Sequence, residues 1–455
     1  MGKYQDKSLG SQPIPQLLIK YILPAVIGTI GLALYNLIDR IFIGHYVGEL
    51  GIAGITLSFP FFLIIMATGM FFGIGIGYLT SIRLGEGNKS EAEKLLGNAF
   101  FIYTIVGLIW LILIRPFTDN ILMLFGATAK TLPYASVYVK IILLGVVLQY
   151  YSMGLSSFIR SEGSPKASMI IFLVGTMLNI ILDYVFLEYF HWGMAGVAYA
   201  TVISLIVNAT LTVGYFVVGP SVLKLKLKNI RLNLKLVTPG LKIGLAPLIL
   251  QSMNAFIAIF TNIVISKYGG DEGVAFIGIT NTISMFVGMM LMGVAQGAQP
   301  IWGYNYGAKL YDRVIVTTKY ILGITFVVSL FATFIIQVFP LQIFNLFIDG
   351  NNNLLSLGIS SFQIYLFFIV GLSMQMVSVI FFQAVNHPKY AIFMNIFKPV
   401  LFVVSVLILT HYFGLKGFWF GAPIADLIGG VVAFILVLRL VRKLRLLRNS
   451  QIASQ

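Results

Sequence analysis

The sequence has no cysteine and few charged residues, which make up only 10% of its 455 positions. The absence of cysteine excludes disulfides, thiolate metal sites and cysteine nucleophiles. Soluble proteins carry about 25% charged residues, so this chain has too few charges for a surface that faces water throughout. With 58% hydrophobic residues and a mean hydropathy of +0.95, the composition is that of a membrane protein.

Motifs of membrane enzymes are missing as well. There is no HExxH pattern and no cluster of metal-ligand residues, and His45, His191, His387 and His411 all fall at the ends of apolar runs. The first 16 residues are polar and show no apolar stretch with a cleavage pattern, so we expect no removable signal peptide. We therefore predict that the protein is not an enzyme and has no organic cofactor or bound metal.

Twelve apolar runs are long enough to cross the ~30 Å hydrocarbon layer of a membrane. We number them span one to span twelve, at 17–44, 52–81, 97–115, 134–158, 167–188, 194–218, 241–267, 274–301, 314–339, 357–383, 390–411 and 417–438. A basic connector follows span six. The predicted fold is an all-α polytopic membrane protein with an N-terminal lobe at 1–220, the connector at 221–240 and a C-terminal lobe with a basic tail at 241–455.

Positive charges are distributed unevenly among the segments that join the spans. Of the 30 lysines and arginines, 23 lie in or beside the N-terminal segment, the connections after even-numbered spans and the C-terminal tail, whereas 6 lie on the other side. Short cytoplasmic loops carry most of the lysine and arginine of membrane proteins. We therefore expect both termini in the cytoplasm and the chain in the cell (inner) membrane. The net charge of +15 then requires no nucleic-acid partner.

The two halves of the chain resemble each other. The matching segments are Leu23–Gly48 with Leu245–Gly270, 79–94 with 301–314, 157–170 with 380–393, and 191–196 with 412–417, and the last three pairs are offset by 221 to 223 residues. Each half has an even number of spans, so both enter the membrane from the same side. A parallel repeat of this kind is related by a pseudo-two-fold axis along the membrane normal. We therefore predict two six-helix lobes that enclose a central cleft.

Carboxylates within spans are rare and are usually functional. Span one holds Asp39, span five holds Asp183 and span twelve holds Asp426. Asp39 and Asp183 each lie ~8 Å below the outer interface, and Thr201 of span six lies ~12 Å below it. These three side chains are therefore expected in one layer of the N-terminal lobe.

Further polar residues share helix faces with the two acids. Asn179 is one turn from Asp183, and Tyr35 and Asn36 are one turn from Asp39. Two acids in a low dielectric resist double ionisation, so one of them would hold a proton. Alternatively, both stay charged around Na⁺. Either event changes the local charge and can shift a two-state helix arrangement.

The chain resembles the multidrug and toxic compound extrusion (MATE) family, and its DinF-like branch most of all. The resemblance rests on Pro24, Asp39 and Gly44 in span one, on Gly85 and Gly307, and on Asn179 with Asp183. It implies a V-shaped pair of six-helix lobes around a central cavity and cation-coupled export of lipophilic, often cationic compounds. It also implies a coupling-cation site at Asp39, Asn179, Asp183 and Thr201, with Tyr35, Asn36 and Tyr138 in support. Gln251 and Gln375 stand where another branch has acids.

Substrate contacts are expected among methionines and amides, because flexible methionines suit varied hydrophobic ligands. The residues assigned to the cavity are Met66, Met70, Gln251, Met253, Asn254, Met285, Gln296 and Gln299. In the C-terminal lobe, Lys398 of span eleven and Asp426 of span twelve both lie ~13 Å deep, and we predict that they form an ion pair. The alternative is that Lys398 faces the cavity while Asp426 binds a proton or cation by itself.

Two other functions remain open. A lipid-linked oligosaccharide flippase belongs to the same superfamily, and a major-facilitator-type solute transporter also has six plus six spans. The first is expected to have a strongly cationic cavity, and the second a signature in the loop after span two that RLGEGNKSEAEK does not match. The expected partners are small lipophilic or cationic substrates and membrane lipids, the coupling ion is H⁺ or Na⁺, and we expect a monomer.

Overall fold

The computed structural model describes residues 8–125, 127–344 and 352–453, and every regular element in those ranges is a helix. Ten helices are long and apolar enough to cross a membrane, or eleven if the bent pair Gly358–Tyr365 and Ile369–Ala384 counts as one span. The prediction of an all-helical polytopic membrane fold is confirmed.

The helices follow the predicted spans closely. In the first half they are Ile14–Tyr46, Glu49–Gly85, Lys89–Ile109 with its continuation to Leu124, Leu132–Ile142 with Val146–Ser161, Pro165–Tyr184 with its continuation to Tyr189, and Gly193–Val217. In the second half they are Leu234–Gly307, Tyr311–Val338, Asn352–Tyr365 with Ile369–Ala384, Pro388–Phe413 and Leu415–Ala453. Short helices lie at Ser8–Ser11, Leu227–Asn229 and Pro340–Phe344.

Spans seven and eight lie in one helix, Leu234–Gly307. The two ends of this helix pack on the same neighbour, because Gly75 leaves room for the carbonyl of Gly240 and Gly85 leaves room for that of Tyr304. Gly75 and Gly85 are ~15 Å apart on the helix Glu49–Gly85, whereas a straight helix would separate Gly240 from Tyr304 by ~96 Å. The helix therefore doubles back, and its two arms correspond to the two predicted spans.

The duplication is visible in the backbone of the turns. Residues at equivalent positions of the two halves adopt the left-handed conformation: Gly87 (φ 77°) and Lys309 (φ 58°), Gly163 (φ 112°) and Asn386 (φ 57°), and Gly193 (φ 52°) and Gly414 (φ 59°). Their offsets of 222, 223 and 221 residues equal those of the repeated sequence segments. The halves therefore share turn geometry even where the second half has lysine or asparagine in place of glycine. For these residues the left-handed conformation is sterically unfavourable.

The chain divides into two compact units. The N-terminal unit comprises 1–248 and 303–309, and the C-terminal unit comprises 249–302 and 310–455. This division differs from the predicted lobes, since the first turns of span seven and the end of span eight belong to the N-terminal unit. The contacts of Gly240 and Tyr304 with span two are the physical reason.

The basic connector is docked on the N-terminal unit. Ser221 Oγ and the backbone N–H of Leu223 donate hydrogen bonds of 2.6 Å and 3.0 Å to Glu162 Oε2, and Lys226 Nζ lies 2.5 Å from Glu93 Oε2. Burial raises the pKa of Glu162 above its usual range, although its hydrogen bonds act in the opposite direction. The connector is therefore held by two acidic side chains of the bundle.

Candidate functional site

The two acids predicted to share a layer are in contact. Asp39 is 6% exposed, Asp183 is fully buried, and their carboxyl groups are close enough to interact electrostatically. Two carboxyl groups this close in an apolar interior resist ionising together. The helices of spans one and five bring them together by packing side by side along their length.

Asn179 links the acids to span six. Its amide, oriented to satisfy both neighbours, donates from nitrogen to Asp183 Oδ2 at 3.1 Å and accepts at oxygen from the backbone N–H of Thr201 at 3.1 Å. The Thr201 hydroxyl donates to the carbonyl of Val197 at 3.1 Å. The structure thus brings together all four residues to which the resemblance assigns the cation site. Thr201 contributes to this arrangement through its backbone.

An apolar cluster lies one helical turn from the site. Tyr138 is 6% exposed and packs with Ile43, Met194, Val197 and other buried side chains. Because Ile43 is one turn beyond Asp39 and Val197 one turn before Thr201, the tyrosine lies beside the acid pair. The side chains of Tyr35 and Asn36 lie outside the described residues, so their predicted supporting roles stay predictions.

The site brings carboxyl and amide oxygens together in an otherwise apolar environment. Two buried carboxylates without a counter-charge would be very costly, so the pair needs a proton or a cation. With its nitrogen toward Asp183, the Asn179 amide accepts at oxygen from the backbone N–H of Thr201. A half-turn of the amide presents the oxygen to the carboxyl pair instead, so the geometry accommodates either a proton or Na⁺.

In the C-terminal unit, Lys398 Nζ lies 2.5 Å from Asp426 Oδ1. The two residues lie on consecutive helices that pack along their length, as predicted from their depth. Gln375 of span ten lies beside them, 7% exposed, and donates from Nε2 to the carbonyl of Met394 at 3.1 Å. The sequence analysis gave Gln375 no part in this cluster. The signals in the sequence were an amide in the middle of an apolar run and its position where another branch of the family has an acid.

The residues assigned to the substrate cavity are dispersed. Met70 and Gln299 are buried, Met66, Gln251, Met253 and Gln296 are half-buried, and Asn254 and Met285 are exposed. Asn254 Nδ2 donates to Gln251 Oε1 at 3.1 Å, one turn away on the same helix. Met66 and Met70 belong to the N-terminal unit, and the other six residues belong to the C-terminal unit. Their role in substrate binding stays a prediction.

Comparison with known families gives a match over most of the chain. Residues 24–185 and 247–409 each match the family described as MatE, so the family unit occurs twice, once in each half. The two matches begin at Pro24 and Pro247, which the sequence comparison of the halves also pairs.

Curated relatives are similar over nearly their whole length. The multidrug export protein MepA of Staphylococcus aureus (strain MSSA476) is 27% identical over 437 residues, covering 95% of both chains. MepA of Staphylococcus saprophyticus is 26% identical over 427 residues, covering 92% of both.

Solved structures have the same fold. A crystal structure of MATE in complex with MaL6 superposes with a TM-score of 0.92 at 24% identity, covering 97% of this chain and all of that chain. A MOP superfamily transporter from Pyrococcus furiosus superposes with a TM-score of 0.91 at 24% identity, covering 98% of this chain and all of that chain. The twelve-helix fold of two six-helix lobes is thereby established.

Proposed function

Since this chain belongs to the MatE family, a family of transport proteins, we propose that it exports small lipophilic, often cationic compounds in exchange for a cation. The relatives named multidrug export protein support export of such compounds. The observation that carries the cation exchange is the buried contact between Asp39 and Asp183.

The proposed exchange follows from the charge of the acid pair. A proton shared by the two carboxyl groups would hold spans one and five together, because it removes the repulsion between them. Loss of that proton leaves two negative charges in an apolar environment, which favours an arrangement that admits water or a cationic substrate. The protonation state thus biases a two-state helix arrangement, which is the requirement for coupling.

Of the two candidate ions, the proton is the one that we propose. Two neighbouring carboxyl groups can share one proton without any further ligand, whereas Na⁺ needs additional oxygen ligands. The Asn179 amide hydrogen-bonds Asp183 in its assigned orientation, and this contact does not distinguish the two ions. We further propose that the protein works as a monomer in the cell membrane with both termini in the cytoplasm.

The lipid-linked oligosaccharide flippase is disfavoured by the Lys398–Asp426 contact. A cationic cavity was the feature expected of such a flippase, and Lys398 is the lysine that falls deep within a predicted span. Its charge is balanced by Asp426 at 2.5 Å.

Transport from proteoliposomes tests the proposal. A fluorescent lipophilic cation is loaded, and its efflux is followed under an imposed pH gradient and then under an imposed Na⁺ gradient, at equal membrane potential. We expect efflux to be accelerated by the pH gradient. Acceleration by neither gradient, or energised movement of a sugar or phospholipid in its place, would reject the proposed function.

A further inference from the structure

An apolar groove lies where the basic connector meets the helices of the N-terminal unit, and we call it the connector groove. All of its lining side chains are apolar, and its volume is about 210 Å³. The lining includes Phe72 of span two, Phe101 of span three, Leu232 and Leu234 of the connector, and Leu241 at the start of span seven. Apolar cavities of about 150 Å³ stay dry and bind apolar molecules, so this groove is suited to an apolar occupant.

The depth of the groove indicates what it meets in a membrane. Phe101 and Val106 lie about four and nine residues inside span three from the side of the connector, hence ~6 Å and ~14 Å below that interface. Phe72 lies about nine residues from the end of span two on the same side, again at ~14 Å. The groove therefore stays within one leaflet, at the level of its acyl chains. With the orientation proposed above, this is the cytoplasmic leaflet.

The rim of the groove is held in place by the bundle. The backbone N–H of Asn233 donates to Oδ1 of the buried Asn98 at 2.6 Å, and Asn233 Oδ1 accepts from the backbone N–H of Leu236 at 3.2 Å. Because Asn233 stands between Leu232 and Leu234, these hydrogen bonds fix both leucines at the rim. The two leucines are nevertheless 48% and 61% exposed. They are therefore presented to a further apolar partner.

Two positive charges flank the rim leucines. Arg231 and Lys235 are exposed, and neither forms an ion pair within the described residues. Lys226 of the same connector, in contrast, pairs with Glu93. The charges of Arg231 and Lys235 are therefore available to an anion at the membrane surface, and guanidinium and ammonium groups both bind phosphate.

We propose that the connector groove binds an anionic phospholipid, with one acyl chain in the groove and the headgroup phosphate at Arg231 and Lys235. A zwitterionic lipid offers the same acyl chain without a net charge, so the two cations favour the anionic lipid. Because the connector forms part of the lining, a bound chain adds apolar contacts that hold the connector to the unit. Binding of this lipid requires neither a transport substrate nor a coupling ion.

Native mass spectrometry of the full-length protein tests this site with phosphatidylglycerol and phosphatidylcholine of equal chain length. We expect the unmodified protein to retain one phosphatidylglycerol in preference to phosphatidylcholine. Arg231→Gln combined with Lys235→Gln should weaken the binding of phosphatidylglycerol roughly 10- to 30-fold. The matched control is Lys166→Gln combined with Lys389→Gln, which removes two exposed charges at the starts of the helices of spans five and eleven and should leave binding unchanged.

A substitution that fills the groove tests the acyl chain separately from the charges. Ile105 lines the groove and is exposed, so Ile105→Trp should occupy the space of the acyl chain and weaken binding without disturbing the core. Ile112→Trp, about two turns further along span three and outside the lining, is its control. Thermal unfolding in detergent without added lipid checks that each variant is folded.

Equal retention of the two lipids by the unmodified protein would overturn the proposal. It would also be overturned if phosphatidylglycerol binding were unchanged by the loss of Arg231 and Lys235 or by Ile105→Trp, or if it fell as far in the control variants. Because lipid retention is measured without transport, the result is independent of the function proposed above.

Discussion

Asn179 and Asp183 are one helical turn apart on span five, and the amide nitrogen of the first donates to Oδ2 of the second at 3.1 Å. This contact orients the buried carboxyl group toward Asp39. Since the amide oxygen is held by the backbone N–H of Thr201, spans five and six are joined at the level of the acid pair. Asn179 is therefore the side chain that positions the proposed ion site.

Substitution of Asn179 should change ion binding more than substitution of Thr201. Hydrogen bonds to charged groups contribute about 1.5–3 kcal/mol. Because the amide N–H stabilises the ionised Asp183 carboxylate, Asn179→Ala is expected to raise the apparent affinity for the proposed proton roughly 10- to 100-fold. Thr201→Val keeps the backbone N–H that holds the amide and should change the affinity only a few-fold. Efflux rate against the pH of the trans compartment measures both. A larger effect of Thr201→Val would show that its hydroxyl is an ion ligand.

The effects of substituting Lys398 and Asp426 on thermal stability should not be additive. Breaking a buried ion pair from one side costs about 3–5 kcal/mol, because the remaining charge has no partner. Lys398→Met is therefore expected to lower the thermal stability in detergent more than Lys398→Met combined with Asp426→Leu. A double variant no more stable than the single one would show that the contact at 2.5 Å contributes nothing to folding.

The connector should be sensitive to pH through Glu162. Burial raises the pKa of this acid, so the folded state binds its proton more tightly than the unfolded state does. The resulting stabilisation is present below the ordinary pKa of 4.5 and is lost as the pH rises through the raised value. Glu162→Gln mimics the protonated acid, and its thermal stability relative to the unmodified protein should increase as the pH rises through that window.

The exposed Glu86 supplies the control for this measurement. Glu86→Gln should show no comparable trend. If the unmodified protein instead gains stability over Glu162→Gln as the pH rises, then Glu162 holds the connector as a carboxylate, and its hydrogen bonds outweigh its burial.

Two turns related by the duplication should respond in opposite directions to substitution. Lys309 is exposed and left-handed, a conformation that costs ~1–2 kcal/mol for residues other than glycine. Lys309→Gly should raise the free energy of unfolding by about 1 kcal/mol, since greater freedom of glycine in the unfolded chain offsets part of the gain. Gly87→Ala should lower it by about 1 kcal/mol. Asn386→Gly should give a smaller gain, because asparagine tolerates this conformation better than lysine.

Unfolding in detergent by heat or denaturant measures these differences. A Cβ atom at Gly87 would meet nothing within 4 Å, so a loss of stability there reports backbone conformation alone. If Gly87→Ala did not lower the free energy of unfolding, backbone conformation could not explain the glycine in this turn.

Local sequence patterns were sufficient to predict the fold and the acid pair. Both features depend on helix periodicity and on the depth of a residue in the membrane, which can be read from the sequence. The apolar runs set the spans, and the shared depth of Asp39 and Asp183 was enough to place them in one layer. The contact of Glu162 with Ser221 was not predictable, because it joins a turn to a connector 59 residues away. The orientation of the Asn179 amide depends on the backbone of another helix, and no pattern within span five contains that information.

Coupling through the acid pair is tested most directly by uphill transport. In proteoliposomes, an imposed pH gradient should drive the unmodified protein to a steady substrate gradient, whereas Asp39→Asn, inserted at the same density, should only let substrate equilibrate. Asp119→Asn is the control, because this acid pairs with Lys140 at 2.6 Å outside the site and should leave the gradient intact. An Asp39→Asn protein that still builds a substrate gradient as steep as the unmodified one would contradict the assignment of Asp39 and Asp183 as the coupling site.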